Sequence, residues 1–363
     1  MRILYVFRSP VGGLFRHVLD LVRGQKDSGH EIGLFCDSLT GGATGDRLLR
    51  EIAPFCSLGI TRYAMPRLPG FADFGAIVKT RQLVKDLKIN VVHCHGAKGG
   101  LYGRLAARSL GIASVYTPHG GSLYFEWRDL RGAVYLATEC LLRQTGNAYT
   151  FVCEYEKNQV SRKIGLGNSK HLLAHNGLWP EEFNVPIQDA GASDIVFVGE
   201  MSYKKGVDSL LNAIALLKSR RVVTATMIGD GPDMQEFQTL VQTLGIAPQV
   251  KFLGRKTMTE ALKLGRVFVL PSRHESFPYV VLEAVAACMP IISSNVGGVS
   301  EILPQDMMFK AGDDAALADM IVERLDHTER AKQKAKALTD VVRANFSATD
   351  MVNRVSAFYE TLI

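Results

Sequence analysis

The sequence predicts an α/β fold with two domains, each built on a parallel sheet. The chain has 363 residues, a length that favours two domains over one. A strand, a glycine-rich turn and a helix open the chain at residues 2–26, and the same order restarts at residues 195–219. Residues 180–193 lie between the two and are rich in proline, glycine and polar side chains, as in a linker. This pattern is typical of repeated βαβ units.

The first predicted domain covers residues 1–185. It opens with a buried strand at Arg2–Phe7, a turn at Gly12-Gly13, an amphipathic helix at Leu14–Lys26 and a strand at Glu31–Cys36. The turn lacks the GxGxxG fingerprint, so a nicotinamide cofactor is unsupported. The elements predicted next are a mobile loop at Leu39–Gly45, a helix at Phe74–Leu87, a strand at Val91–His95, a helix at Lys98–Leu110, a strand at Ala113–Thr117, an aromatic and basic segment at Ser122–Arg143, and a short strand at Phe151–Val152. Leu172–Ala174 leads into a turn at Asn176-Gly177.

Three histidines end or follow predicted strands of this domain: His93, His95 and His119. Functional groups in open α/β sheets collect at the carboxyl ends of strands, so we expect these side chains near a ligand. Three histidines also suggest zinc. Because no acidic or cysteine partner has the usual ligand spacing, we expect no metal.

The second predicted domain covers residues 186–346. Its elements are strands at Ile195–Val198, Thr224–Ile228 and Val250–Leu253, helices at Val207–Ser219 and Met234–Leu244, and mostly helical sequence from Ala315 to Ile363. Lys204 and Lys205 precede Gly206 between the first strand and its helix. That position indicates a ligand role rather than two solvated lysines in a turn.

Residues 267–301 are the most informative stretch, because two carboxylates bracket one helix there. A strand ends at Leu270, a helix is expected over Val280–Ala287 with Ser276 or Phe277 as its cap and Pro278 in its first turn, and Gly297-Gly298 begins a further helix carrying Glu301. Glu275 precedes the helix and Glu283 lies inside it. A helix N-terminus suits a phosphate and carboxylates suit sugar hydroxyls. The stretch therefore predicts a site for a diphosphate that carries a sugar on each side.

Positive charge is concentrated in the first half of the chain. The formal net charge is +6, and residues 1–180 hold 23 Lys and Arg against 13 Asp and Glu. This half could meet a phospholipid surface, a lipid pyrophosphate or nucleic acid, or could be a solvated surface without a partner. Aromatic and basic side chains mix in the segment at residues 122–143, as at a membrane interface, although an ordinary packed helix is equally consistent.

Compartment follows from the cysteines and from the hydropathy. The six cysteines show no CxxC pair or metal spacing, which indicates reduced thiols. No apolar run is long enough to span a bilayer, and the N-terminus lacks a signal-peptide pattern. We expect a cytoplasmic protein that could bind the inner face of the plasma membrane peripherally.

Glu275 and Glu283 match the E-x7-E motif, and residues 297–301 match the GGxxE that follows it, in the retaining glycosyltransferases of family 4 (group 1). The chain resembles this family over nearly its whole length. The resemblance implies the GT-B fold, in which two Rossmann-like domains face each other across a cleft: an N-terminal acceptor-binding domain, a C-terminal donor-binding domain, and a final helix at residues 347–363 that crosses back to the first domain. It also implies retaining transfer from a nucleoside diphosphate sugar, with a UDP-sugar favoured, to a saccharide or lipid-linked acceptor in bacterial cell-surface polysaccharide or lipopolysaccharide synthesis.

Site residues are carried over one by one from the family motifs. The implied catalytic residues are His119, Lys205 and Glu275. The implied donor contacts are Gly13, Lys205, Gly231, Arg255, Glu275, Phe277, Tyr279, Val280 and Glu283. The acceptor-side candidates are Gly12, His93, His95 and Arg128. The family implies no cofactor and no divalent metal for catalysis, because cationic groups stabilise the leaving diphosphate.

The sequence departs from the family pattern at two places, and there are three alternatives to the transferase function. Glu200 stands where many members carry arginine, and Leu178-Trp179 replaces the acid that usually follows the NG turn. A sugar-nucleotide epimerase or hydrolase on the same scaffold and a non-catalytic sugar-nucleotide sensor are the main alternatives. A nucleic-acid binder is disfavoured, because aromatic-rich binding modules are absent.

Overall fold

The computed structural model describes residues 1–68, 70–145 and 148–363. The chain divides into two compact units, Met1–Asn176 with Ala348–Ile363, and Gly177–Ser347. The division lies before the predicted boundary at residue 186, because the segment after Asn176 packs on the second unit. The backbone N–H of Leu178 donates to the carbonyl of Phe346 at 2.9 Å.

The first unit folds around a seven-stranded sheet in which every strand pairing is parallel. Its strands are β1 (Arg2–Val6), β2 (Glu31–Asp37), β3 (Ile60–Tyr63), β4 (Val91–His95), β5 (Ala113–Thr117), β6 (Ala148–Phe151) and β7 (His171–Leu173). Its helices up to residue 176 are α1 (Gly12–Asp27), α2 (Gly42–Ile52), α3 (Phe71–Asp86), α4 (Gly96–Leu110), α5 (Leu130–Arg143) and α6 (Glu154–Lys163). The central strands read as nearly continuous apolar runs, because helices cover both faces of a parallel sheet.

The strand order of this sheet is β3-β2-β1-β4-β5-β6-β7, so the direction of winding reverses between β1 and β4. The loops after these two strands lie at the switch point, where open α/β sheets bind ligands. The loop after β1 leads to Gly12, and β4 ends at His95. The topology therefore places both at the edge of the sheet that we expect to be functional.

The second unit repeats this design on a six-stranded parallel sheet with the order β10-β9-β8-β11-β12-β13. Its strands are β8 (Ser193–Val198), β9 (Ala225–Ile228), β10 (Val250–Phe252), β11 (Gly265–Leu270), β12 (Ile291–Ser294) and β13 (Met308–Phe309). Its helices are α7 (Val207–Leu217), α8 (Met234–Thr243), α9 (Met258–Leu262), α10 (Tyr279–Ala286), α11 (Asp314–Asp326) and α12 (Thr328–Asn345). The switch point lies between β8 and β11, so the Lys205 loop and the Glu275 loop leave the sheet side by side.

The last helix, α13 (Ala348–Glu360), packs on α1 of the first unit. Its Tyr359 hydroxyl is buried and contacts the ring of His93 and the hydroxyl of Tyr5. Ser356 accepts a hydrogen bond from Gln25 at 3.1 Å. These buried polar contacts fix how the end of the chain packs on the first sheet.

Several element predictions are corrected. Leu39–Gly45 is not a loop throughout, because α2 starts at Gly42 and buries Leu49 and Ile52. Glycine composition predicted a loop, but Gly41 and Gly42 supply positive φ angles of 99° and 52° at the helix start. The segment at residues 122–143 is a short 3₁₀ turn followed by α5 rather than one helix. The strand β3 and the helix α6 were not predicted, because neither stretch has a clear apolar period.

Candidate active site

Lys205 and Glu275 form an ion pair at the switch point of the second sheet. The Nζ atom of Lys205 lies 2.7 Å from Oε1 of Glu275, and the Ser272 hydroxyl donates to the same oxygen at 2.7 Å. The side chain of Glu275 is largely buried and that of Lys205 is partly exposed. The structure thus joins two predicted site residues that are 70 positions apart.

Glycines hold the two loops together, because backbone occupies the space that a side chain would need. A Cβ atom at Gly206 would lie 2.0 Å from the carbonyl oxygen of Pro271, and one at Gly297 would lie 2.0 Å from that of Glu275. Both glycines also have φ angles near +60°, which other residues adopt reluctantly. Gly206 and the first glycine of the GGxxE motif, Gly297, therefore bring backbone segments into contact around Glu275.

Arg273 ties the Lys205 loop to the Glu275 loop a second time. Its guanidinium forms two hydrogen bonds of 2.7 Å with the carboxylate of Asp208. The backbone N–H of Arg273 donates to the backbone carbonyl of Lys204 at 2.9 Å. Such a bidentate pair fixes geometry as well as charge. The pair thus fixes the start of α7, just after Lys205, against the Glu275 loop.

The helix α10 begins directly after these loops, and its start differs from the prediction. Pro278 occupies the N-cap position in extended conformation, in place of Ser276 or Phe277, and the helix body starts at Tyr279. Proline is tolerated there because it has no N–H to leave unpaired. Helices leave their first N–H groups without partners inside the helix and carry partial positive charge at this end. Phe277 and Tyr279 are buried at this end and Val280 is half-buried.

Glu283 lines a cavity that Glu275 does not line. It lies one turn into α10 on the partly exposed side, and it lines a cavity of about 190 Å³ together with Glu181, Glu182 and Thr259. Glu275 is not among the residues that line this cavity. Glu275, before the helix, and Glu283, inside it, therefore have different surroundings.

The two remaining donor candidates of this unit differ in how firmly they are held. A Cβ atom at Gly231 would lie 2.4 Å from the carbonyl oxygen of Met201, so this glycine brings the β9 loop against the β8 loop. Arg255 is exposed, and its guanidinium lies 3.9 Å from the carboxylate of Asp230. Exposure leaves Arg255 able to meet a ligand without breaking a buried contact.

A histidine cluster occupies the switch point of the first sheet. His95 Nδ1 lies 3.0 Å from His119 Nε2, and His17, on α1, has its ring centroid 5.0 Å from that of His119. His17 Nδ1 lies 2.9 Å from Oδ1 of Asn176. Burial lowers the pKa of His17 to about 4 and holds the pKa values of His95 and His119 well below the ordinary value. All three imidazoles are therefore neutral at neutral pH.

The loop that carries His119 is held by a buried carboxylate. His119 has a φ angle of 53° and Gly120 one of 76°. Glu156 on α6 accepts a hydrogen bond from the Gly120 N–H at 2.7 Å and another from the Val152 N–H at 3.2 Å. A non-glycine residue in the left-handed region is strained. The hydrogen bonds of Glu156 stabilise this loop conformation.

His93 is a weaker candidate for contact with the sugar acceptor than the sequence suggested. Its side chain has no exposed surface, its Nδ1 contacts the Tyr359 hydroxyl, and its Nε2 lies 2.8 Å from the Thr117 hydroxyl. Alternation along β4 alone would have put His93 and His95 on the same face, but α13 covers the first of them. This burial argues against direct contact between His93 and an acceptor.

The remaining acceptor-side candidates differ in exposure: His95 is buried but borders a cavity, whereas Gly12 and Arg128 are exposed. His95 lines a cavity of about 460 Å³ whose walls include Leu14, Leu101, Phe125 and Tyr135. Arg8, Arg67 and Lys98 also line it and supply positive charge. Gly12 begins α1 with a φ angle of 80°, Gly13 and Arg128 are exposed, and the space around the Cα atoms of both glycines is open. An amphiphilic molecule with an anionic group suits this cavity chemically.

Sequence reasoning missed His17, Ser272 and the Arg273–Asp208 pair. His17 lies on a helix, so a search for functional residues at the carboxyl ends of strands does not find it. Its position on the buried face of α1, beside Val18 and Leu21, was the available signal. Ser272 and Arg273 lie in the turn before Glu275, where sequence alone does not show which side chains point inward.

Among the described residues, no helix combines the length and the apolar character that a bilayer crossing requires.

Comparison with known proteins assigns the family. The model of Glycosyltransferase Family 4 matches residues 11–182, and that of Glycosyl transferases group 1 matches residues 192–327. The chain is 26% identical over 384 residues to the phosphatidylinositol N-acetylglucosaminyltransferase gpi3 subunit of Schizosaccharomyces pombe, covering 99% of this chain and 79% of that protein.

Solved structures agree on the fold. Sucrose-phosphate synthase from Thermosynechococcus elongatus superposes with a TM-score of 0.84 at 18% identity, over 100% of this chain and 99% of that one. Anabaena HepE in complex with UDP and glucose superposes with a TM-score of 0.83 at 17% identity, over 100% of both chains. The predicted fold of two Rossmann-like α/β domains is confirmed. The protein is a glycosyltransferase that belongs to the group 1 enzymes of glycosyltransferase family 4.

Proposed function

We propose that the protein transfers a sugar, with retention of configuration, from a nucleoside diphosphate sugar to a hydroxyl of a lipid-linked saccharide. The observation that carries this proposal is the Lys205–Glu275 pair beside the start of α10. A leaving diphosphate needs positive charge, which Lys205 and the helix N-terminus supply, and a sugar needs hydroxyl acceptors, which Glu275 supplies. UDP is favoured as the nucleotide, because HepE is a fold neighbour that holds UDP and glucose.

The remaining roles follow the family motifs. Glu283 is proposed to hold the ribose diol and Arg255 to meet the base. His119 is proposed as a contact of the transferred sugar. The proposal includes no divalent metal for catalysis, because Lys205 and backbone N–H groups provide the positive charge on the diphosphate.

The lipid-linked acceptor is supported by the cavity beside His95. Its apolar walls fit an aliphatic or aromatic aglycone, and Arg8, Arg67 and Lys98 fit an anionic group such as a phosphate. A relative named for transfer to phosphatidylinositol agrees with this class. Synthesis of bacterial cell-surface polysaccharide or lipopolysaccharide is the proposed setting.

A direct assay tests the function. The enzyme is incubated with UDP-sugars and GDP-sugars, with and without detergent-solubilised lipid acceptors, and both nucleotide release and glycosylated product are measured. We expect release that depends on acceptor, and a product whose anomeric configuration by NMR equals that of the donor. Rapid release without acceptor would identify a hydrolase or epimerase, and binding without release across the panel would identify a sensor.

Glu283→Ala is expected to weaken donor binding. Loss of a charged acceptor for the ribose hydroxyls removes a net hydrogen-bond contribution of about 1.5–3 kcal/mol, so the donor KM should rise about 10- to 100-fold while kcat changes less. The exposed Glu236→Ala in the same unit is the control. An unchanged donor KM would contradict the ribose role.

We also propose that the first unit binds an anionic membrane surface. Exposed apolar side chains lie just before and in the first turn of α3, at Leu68, Phe71 and Phe74, and on α5, at Leu130, Val134 and Leu141. Helix α5 also lines the cavity. Phe71 is fully exposed, the exposed Arg67 lies shortly before it in sequence, and the exposed Arg128 and Arg131 lie beside Leu130. Aromatic and basic side chains together favour the interface of anionic bilayers.

Flotation with liposomes tests this surface. Binding to anionic liposomes at modest salt should exceed binding to neutral ones, and Phe71→Ser with Leu130→Ser should reduce it at least about tenfold, since each buried CH₂ contributes about 0.8 kcal/mol. Val222→Ser, at an exposed apolar position of the second unit, is the matched control. Equal binding to neutral and anionic liposomes would count against the proposal.

A further inference from the structure

His17, His95 and His119 are arranged as metal ligands are. One ring nitrogen of each lies within 4.8 Å of one ring nitrogen of the others. Tetrahedral zinc at bond lengths of about 2.0–2.1 Å requires ligand nitrogens about 3.4 Å apart. His95 Nδ1 and His119 Nε2 are hydrogen-bonded at 3.0 Å, close to that separation, and an ion bound between them would displace the proton that they share. A small ring movement of His17 would complete the set.

Two ring nitrogens in this cluster lack partners. His17 Nε2 and His95 Nε2 are buried without a hydrogen bond to any part of the chain that the structure describes. Buried polar atoms are nearly always paired. An ion would account for the unpaired His17 Nε2, whereas His95 would bind through Nδ1 and its Nε2 takes no part in the site. The Oδ1 atom of Asn176 only accepts, which places a proton on His17 Nδ1 and leaves a lone pair on Nε2.

The surroundings supply the other features of a metal site. Asn176 fixes the tautomer of one ligand, as outer-shell partners do in known centres. Glu156 holds the loop of another through the Gly120 N–H. His95 also lines the cavity of about 460 Å³, which therefore reaches the cluster at this one ring.

We propose that His17, His95 and His119 form a three-histidine site for a borderline divalent transition metal of the zinc class, and that an ion bound there inhibits glycosyl transfer. Neutral imidazoles are the ligands that such ions prefer. The ion is an inhibitor and not a cofactor, because it engages the His119 ring and withdraws it from the sugar. Binding of the ion stands on the cluster alone, whereas its inhibitory effect also depends on the proposed function.

Cobalt and zinc titrations of the full-length protein test the site. Zinc affinity is measured by competition with a chromophoric chelator, and cobalt binding by absorption. We expect one ion per chain and visible d–d bands of a tetrahedral site, without the near-ultraviolet band of thiolate ligation. The six cysteines are free, and burial raises the pKa of Cys36, Cys56 and Cys94 to about 12, which keeps these thiols protonated.

The variants locate the ion. His17→Gln should weaken zinc binding by more than the about 10- to 100-fold that loss of an outer-shell partner costs, and Asn176→Ala should weaken it within that range. His171→Gln, at an exposed histidine of the same unit, should leave binding unchanged. Circular dichroism and thermal unfolding show whether each variant is folded. If His17→Gln proves unfolded, His95→Gln and His119→Gln take its place with the same expected loss.

Activity measurements separate the two parts of the inference. Zinc should inhibit the wild type, and chelator should restore full activity. No binding by the wild type, equal binding by His17→Gln and His171→Gln, or a thiolate band would each overturn the site. Inhibition that survives in folded His17→Gln would overturn the link to His119. An inactive enzyme that still binds one ion at the three histidines would refute only the transferase proposal.

Discussion

Lys205→Ala is expected to lower kcat at saturating donor about 10²- to 10³-fold, the cost of removing one group that stabilises charge developing in a transition state. The leaving diphosphate gains negative charge as the bond to the sugar breaks. The ammonium of Lys205 lies at the end of the β8 loop, beside the start of α10, where such charge can be met. Donor KM should change much less, because the interaction strengthens only as charge develops.

The substitution also breaks the ion pair between Lys205 and Glu275 in the free enzyme. Lys205 contacts Glu275, so its removal also leaves a largely buried carboxylate with Ser272 as its neighbour. Lys205→Arg separates the two effects, because it keeps the positive charge near Glu275 but changes the donor geometry. We expect Lys205→Arg to retain an ordinary thermal midpoint and to recover only part of kcat.

A charge-matched control removes an exposed lysine of the same unit. Lys256→Ala changes the net charge equally at an exposed position and should leave kcat within about twofold, since isolated surface charges contribute little. Full activity of Lys205→Ala at saturating donor would refute the charge-stabilising role. An equal loss in Lys256→Ala would show a general effect of charge instead.

The order of elements was predictable because parallel strands carry a strong local signal. Strands β4 and β5 were predicted with their observed bounds, since each is an apolar run closed by glycine or proline. Helix α10 was placed within one residue at each end, although its cap was misassigned. The loop that leads to this cap is held by the close approach of Gly297 to the backbone of Glu275. Such long-range contacts have no local signature.

The site residues were predicted only in part, because long-range contacts have no local signature. The family resemblance identified Lys205 and Glu275, but only the strand order shows that their loops leave adjacent strands. The histidines of β4 looked equivalent in sequence, yet α13 buries His93 and leaves His95 at the cavity. His17 was missed because its partners, Asn176 and His119, are far from it in the chain. Tertiary contacts decide which member of a pattern meets a ligand.

Glu139→Ala is expected to destabilise the protein by about 3–5 kcal/mol, because it leaves the guanidinium of Arg104 buried without its counter-charge. Arg104 has no exposed surface, and its Nη2 donates to Glu139 at 2.6 Å. The Tyr116 hydroxyl donates to the other carboxylate oxygen at 2.9 Å, and the guanidinium lies 4.0 Å from the Tyr116 ring centroid. These contacts join α4, α5 and β5 beneath the cavity that His95 lines.

Denaturant unfolding of the variant measures the change, with Glu51→Ala as the control. Glu51 pairs with Arg47 on exposed helix surface at 2.9 Å, so its loss should cost at most about 1 kcal/mol. A change below about 1 kcal/mol for Glu139→Ala would show that Arg104 finds water or another partner.

The double variant Arg104→Met with Glu139→Leu separates the stability of the charge pair from its role in positioning. Removing both charges avoids the unpaired guanidinium, so the double variant should recover much of the stability lost in Glu139→Ala. Glu139 also lines the cavity, and α4 begins at Gly96, directly after His95. If the buried pair serves mainly to position α4 and α5, the stable double variant should still show a raised acceptor KM. Normal acceptor KM with restored stability would limit the pair to a role in folding.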